Sequence, residues 1–168
     1  MIKDSAVEGF TSDDETAGVL LLGGWLRDTV ELGGVTVELT DVKTDIDTEN
    51  MMDIDINVEA KGTVVENSAG VRLSDTSGRE VLERKMALTL LTQVKSAVTR
   101  GADMDADICG IARGIRLRHP VLTRDAEMNS VPSGASYNIN IKATLVGTYD
   151  AEDAVLPVQG ETEAAGEG

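Results

Sequence analysis

Residues 52–61 read Met52-Asp53-Ile54-Asp55-Ile56-Asn57-Val58-Glu59-Ala60-Lys61, an unbroken alternation of apolar and polar side chains. Successive side chains of a strand point to opposite faces, so this stretch puts Met52, Ile54, Ile56, Val58 and Ala60 on one face and carboxylates, an amide and an ammonium on the other. A strand of that kind lies in a sheet with one wet face and one face covered by other elements.

Upstream, Val35-Thr36-Val37-Glu38-Leu39-Thr40 has the same two-residue period. The polar connection Asp41 to Asn50 reads as a long hairpin loop, which makes the two strands antiparallel neighbours. Val64 to Leu73, with Asn67, Ser68 and Gly70, reads either as an extension of the second strand or as a loop.

Two helices are expected around this pair. Ser12-Asp13-Asp14-Glu15 has capping-box spacing, and Ala17, Leu20, Leu21, Trp25 and Leu26 follow at mostly helical intervals up to Arg27 and Asp28. Gly18, Gly23 and Gly24 each cost such a helix about 1 kcal/mol relative to alanine, and they either admit a neighbouring backbone or break the helix at Gly23-Gly24. Gly33-Gly34 is read as the end of the element. Ser77-Gly78-Arg79-Glu80 has the second capping-box spacing, opening a stripe of Val81, Leu82, Met86, Leu90, Val94 and Ala97. Lys95 and Arg100 complement the helix dipole near its end, and Gly101 is placed for a left-handed cap.

After the acidic linker Asp103 to Asp107, Ile115, Leu117, His119 and Val121 alternate with Arg116, Arg118 and Pro120, which predicts a strand stopped or held at an edge by the proline. Thr123 to Ser136 reads as a polar loop. Tyr137, Ile139, Ile141, Ala143 and Leu145 then alternate with Asn138, Asn140, Lys142 and Thr144 as a last strand. The expected fold is α+β: a mainly antiparallel sheet of about four strands with two helices packed on one face, in the order α-β-β-α-β-β. The expected organisation is an N-terminal arm over residues 1–11, one domain over 12–149 and an acidic tail over 150–168.

Composition narrows function. Of 168 residues, 30 are Asp or Glu and 15 Lys or Arg, for a net charge of −15, and only 2% are aromatic. Nucleic-acid and sugar binding fit poorly, because both commonly use stacking platforms and nucleic acid also needs a positive face. Self-repulsion of this size weakens as the screening length falls to about 3 Å at molar salt, and with scarce lysine and dispersed acids the chain suits a salt-rich cytoplasm, an acidic mesophilic protein being the alternative. No stretch approaches the roughly 18 apolar residues of a membrane span, and Met1-Ile2-Lys3-Asp4-Ser5 does not open a secretory leader; a soluble, unprocessed protein with no membrane contact is expected.

Chemistry is sparse. Asp103, Asp105 and Asp107 begin like a calcium-binding loop, but Ile108 stands where its glycine belongs and Gly114 where its glutamate belongs. Asp45, Asp47 and Glu49 fail in the same way at Asn50 and Ile56, while Asp53, Asp55 and Glu59 read as the wet face of a strand. One cysteine, Cys109, excludes a disulfide framework within one chain. A Cys109–His119 nucleophilic pair is conceivable, with Cys109 as a small buried hydrophobe the plainer reading. No metal site, cofactor site or catalytic residue is assigned, and a non-enzyme is expected. Against the acidic background, Arg113, Arg116, Arg118 and Arg124 gather with His119 within twelve residues. They are candidate subunit-interface residues, meeting carboxylates of another copy or a different protein; pairing to Asp53 and Asp55 within the chain is an equal alternative, and contact with passing DNA a weaker one.

The sequence of elements at Val35–Thr40, Met52–Lys61, Ser77–Arg100, Ile115–Val121 and Tyr137–Leu145 resembles that of tail terminator proteins of long-tailed viruses. That resemblance implies a structural virion protein, of a virus infecting a salt-loving archaeon, that forms a homo-oligomeric ring of about six copies. It would end the tail tube and join it to the head, with tail tube and neck proteins as partners. The loops Asp41 to Asn50 and Thr123 to Ser136 and the two terminal arms would then be the docking segments. Other expectations are another neck or tail tube subunit, a small-ligand-binding acidic α+β domain, and an acidic cytosolic accessory protein.

Overall fold

A computed structural model describes residues 12–24, 29–124 and 130–148. The expected arm over residues 1–11, the tail over 150–168 and the segment Trp25 to Asp28 lie outside the described residues.

The fold is α+β, with one four-stranded mixed sheet and three helices among the described residues. The elements are α1 (Asp13–Leu22), β1 (Thr29–Glu31), β2 (Val35–Asn50), β3 (Asp53–Asn67), α2 (Thr76–Asp103), α3 (Ile111–Arg118) and β4 (Ser136–Thr148). The strands lie in the order β1-β2-β3-β4. The alternation at 52–61 forms most of β3 as read, with Ile54, Ile56, Val58 and Ala60 buried beneath a polar face. Met52 instead falls in the turn, where Asn50 Oδ1 accepts its backbone N–H at 3.0 Å.

Several expectations are corrected. The supposed loop Asp41 to Asn50 is the second half of β2, antiparallel to β3 as far as the Asn50–Asp53 pair. Val42 and Thr48 turn inward, so the two-residue period continues beneath a crowd of acids. Gly33-Gly34 does not end a helix but turns the β1–β2 hairpin, with φ of 73° and 86° at the two central positions, where only glycine is unstrained. The carboxylate of Glu31 accepts the Thr36 hydroxyl at 2.8 Å and the Gly34 N–H at 2.7 Å, and these bonds, the Thr36 one foremost, hold its pKa below the usual value.

β4 runs parallel to β3, with Ile54 opposite Tyr137 and Ala60 opposite Ala143. The sheet is mainly antiparallel as expected, and this one pairing is parallel because α2 and α3 intervene between β3 and β4, a crossover that returns the chain in the same direction. The most consequential correction is at Ile115–Val121, which is no strand: Ile111–Arg118 is helix and residues 120–124 are turn. Asp107 decides this, its two carboxylate oxygens accepting the backbone N–H groups of Ala112 and Arg113 at 2.9 and 2.8 Å and so satisfying donors that open a helix.

The first capping box forms as read, Ser12 Oγ accepting the Glu15 N–H at 3.2 Å. α2 carries the expected core stripe of Leu82, Met86, Leu90, Val94 and Ala97, but Val81 faces solvent. Its capping box does not form: Asp75 is the N-cap and makes no side-chain cap bond, and Gly101 is buried inside a helix that continues to Asp103. α1 packs on α2 through Gly18, where an added Cβ would collide with the Gln93 carbonyl and the Ala97 side chain. The glycine therefore serves close approach of two helices.

Candidate functional site

α3 positions the arginine cluster. Gly110, at φ 73°, lets the chain turn into the helix, and Asp107 caps it. Ile111, Ala112 and Ile115 are buried toward the core. At the far end the His119 ring donates from Nε2 to the Thr48 carbonyl at 2.8 Å, and the Thr123 hydroxyl donates to the His119 carbonyl at 2.8 Å. The first bond ties the helix end to buried Thr48 on β2, and the second closes the turn that follows the helix. With its inward side spent, α3 and the turn after it present Leu117, Val121 and Leu122 to solvent, 73%, 85% and 69% exposed.

Arg113 and Arg118 are exposed on the same helix and Arg124 in the following turn, while Arg116 is half-buried and engaged. Arg118 Nη2 stands 3.8 Å from Asp47 Oδ1, an exposed pair worth about 0–1 kcal/mol. Arg113 and Arg124 form no ion pair with any described residue. The alternative of pairing within the chain is met at Asp47, the cross-strand partner of Asp55, and not at Asp53 or Asp55 themselves. Asp53 accepts from Ser136 Oγ at 2.8 Å and Asn138 Nδ2 at 3.2 Å, and Asp55 accepts from Asn138 at 3.0 Å, so β4 serves those carboxylates.

On the other side of α3 a cavity of about 610 Å³ opens between the last turns of α2, the α2–α3 loop and residues 130–135. Val98, Gly101, Ile111, Val131, Cys109 and Tyr137 contribute to its wall. Burial, reinforced by the Asp107 charge, pushes the Cys109 thiol up to about 12. The Tyr137 phenol is raised by burial first and then by Cys109 and Asp107. Cys109 and His119 flank opposite ends of α3, whose eight residues span about 12 Å, so they are not brought together as a nucleophilic pair. Among the described residues no three of His, Cys, Asp and Glu converge as a metal site. The cavity escaped the sequence because its lining is drawn from residues 98–137; Val131-Pro132 within a polar loop is its one local sign.

The family model described as spore germination B3/GerAC like, C-terminal, matches residues 1–149. The chain belongs to that family. Among solved structures, the crystal structure of the GerBC protein shares the fold with a TM-score of 0.61 and 19% sequence identity, over 83% of this chain and 47% of GerBC. The chain thus spans about half the length of GerBC. No curated protein matches.

This membership overturns the resemblance to viral tail terminators, and with it the tube-ending ring, the tail tube and neck partners, the virion location and the viral alternatives. The physical reason lies in the elements: the resemblance leaned on Ile115–Val121 as a strand and on Asp41–Asn50 as a docking loop, and the chain has a helix and a strand there.

Proposed function

We propose that this chain is a non-catalytic docking module of a spore germination protein, and that the exposed end of α3 is the surface that binds an acidic protein partner. The observation that carries this reading is the trio Leu117, Val121 and Leu122, all more than two-thirds exposed and set among Arg113, Arg118 and Arg124. Apolar side chains displayed by the element that also carries the cationic cluster make an apolar centre with a charged rim, the anatomy of a protein interface. Guanidinium groups pair carboxylates bidentately, so the matching surface is acidic. A bilayer is the weaker occupant, because a broad anionic surface repels a body of net charge −15 whereas a local acidic patch need not.

Co-expression with the other germination proteins of the same cell, followed by affinity capture, tests the reading. The chain retains an acidic germination protein, charge reversal of Arg113, Arg118 and Arg124 releases it, and lysine at the same positions weakens it only in part. Equal retention by the charge-reversed chain, or binding to anionic phosphatidylglycerol vesicles with no protein retained, overturns it.

A further inference from the structure

We infer that the cavity between α2, α3 and β4 binds a small amphiphile with a single cationic head, an ammonium or guanidinium carried on a short apolar body. Its volume of about 610 Å³ falls among ligand pockets, which run roughly 300–1,000 Å³. Val98, Ile111, Val131 and Pro132 make an apolar wall, and the Tyr137 ring adds an aromatic surface on which a cation is stabilised.

The charges at the wall select the head group. Asp105 and Asp107 line the cavity, and among the described residues no Lys, Arg or His does. Asp107 spends both oxygens on the first turn of α3. Asp105 is different: it is exposed, stands at φ 49°, and its carboxylate bonds no described residue. That leaves one open anion at an apolar pocket. The Cys109 thiol and the Tyr137 phenol are held neutral by burial, so neither adds an anion to the wall. A carboxylate or phosphate entering here meets the like charge of Asp105 and Asp107, whereas an amine is drawn in by the acidic field of the whole chain.

Titration calorimetry and methyl NMR with n-hexylamine, n-hexanol and hexanoate as probes test this. Hexylamine binds in the roughly millimolar range expected of so small a ligand, shifting the methyl resonances of Val98, Ile111 and Val131; hexanol binds about fivefold more weakly, and hexanoate not measurably. Asp105→Asn brings hexylamine down to the level of hexanol and leaves hexanol unchanged, and Val131→Trp, with its fold checked by circular dichroism, abolishes both. Hexanoate binding as well as hexylamine, an amine affinity untouched by Asp105→Asn, or shifts scattered over the surface instead of the three wall methyls would each overturn the assignment. Serine at Leu117 and Val121, which removes the apolar centre of the docking face without changing the net charge, leaves these titrations unchanged, so the cavity and the docking face stand or fall separately.

Discussion

Glu83, on the second turn of α2, accepts the backbone N–H of Leu145 at 2.9 Å, and Arg79, one turn earlier and 3.4 Å from Glu83, donates to the carbonyl of the same residue. The register of β3 against β4 shifts at this point, from Gly62–Leu145 to Thr63–Gly147. Where the ladder is irregular, an ion pair on the helix supplies both bonding partners of one strand residue. Glu83→Ala should therefore lower the unfolding free energy by about 1.5 kcal/mol, because a half-buried N–H loses a charged acceptor. Glu83→Gln keeps an acceptor oxygen and should lose less than half as much. Urea denaturation of the two variants checks this, and equal losses would show that the bond to Leu145 contributes nothing.

Gly18 sets the approach of α1 to α2. In an isolated helix Gly→Ala gains about 1 kcal/mol, but here a Cβ runs into the Gln93 carbonyl and the Ala97 side chain, and backbone cannot yield as a flexible side chain can. Gly18→Ala should thus destabilise by about 1–3 kcal/mol, the usual cost of overpacking. A thermal melt shows the sign directly, since intrinsic propensity alone predicts a rise in Tm.

Cys109 gives a pH signature. Burial pushes its folded-state pKa up to about 12 from an ordinary value near 9. Below pH 9 the thiol is neutral in both states and its contribution is fully present. Between 9 and 12 the unfolded chain ionises while the folded one does not, so stability is lost as pH rises, at up to about 1.4 kcal/mol per unit. Alkylation by iodoacetamide at pH 8 should correspondingly run about a thousandfold slower than in the unfolded chain, in proportion to thiolate. Cys109→Ala should remove its share of the alkaline slope in denaturation measured from pH 8 to 10.

What the sequence discloses and what it hides follow from the range of the interactions. The alternation of β3 and the Leu82–Met86–Leu90–Val94 stripe of α2 are long enough for one period to win, and both are as read. In β2 the acids at 41, 45 and 47 mask the inward turns of Val42 and Thr48, so a strand looks like a loop. Ile111 and Ile115 are four apart and satisfy a two-residue and a 3.6-residue period alike, so only the Asp107 cap settles the helix. The arginine cluster was legible because it is local. The cavity was not, because residues 98–137 meet there only after the chain crosses over to β4. Element order pointed to the wrong family since similar orders recur on unrelated proteins.

The helical reading of residues 111–118 separates two groups of side chains that a strand would have joined. As a strand, Ile115, Leu117 and Val121 would share one inward face, and losing any of them would open a cavity. As α3, Ile115 is fully buried while Leu117 and Val121 are 73% and 85% exposed. Ile115→Ala should therefore cost about 2–5 kcal/mol, the range for truncating a buried aliphatic chain. Leu117→Ser and Val121→Ser should fall within about 0.5 kcal/mol of the parent, as exposed substitutions do. Chemical denaturation of the three variants distinguishes the cases: similar large losses at all three positions would restore the strand. A loss confined to Ile115 leaves Leu117 and Val121 unneeded for folding, and their apolar surface available for contact with another molecule.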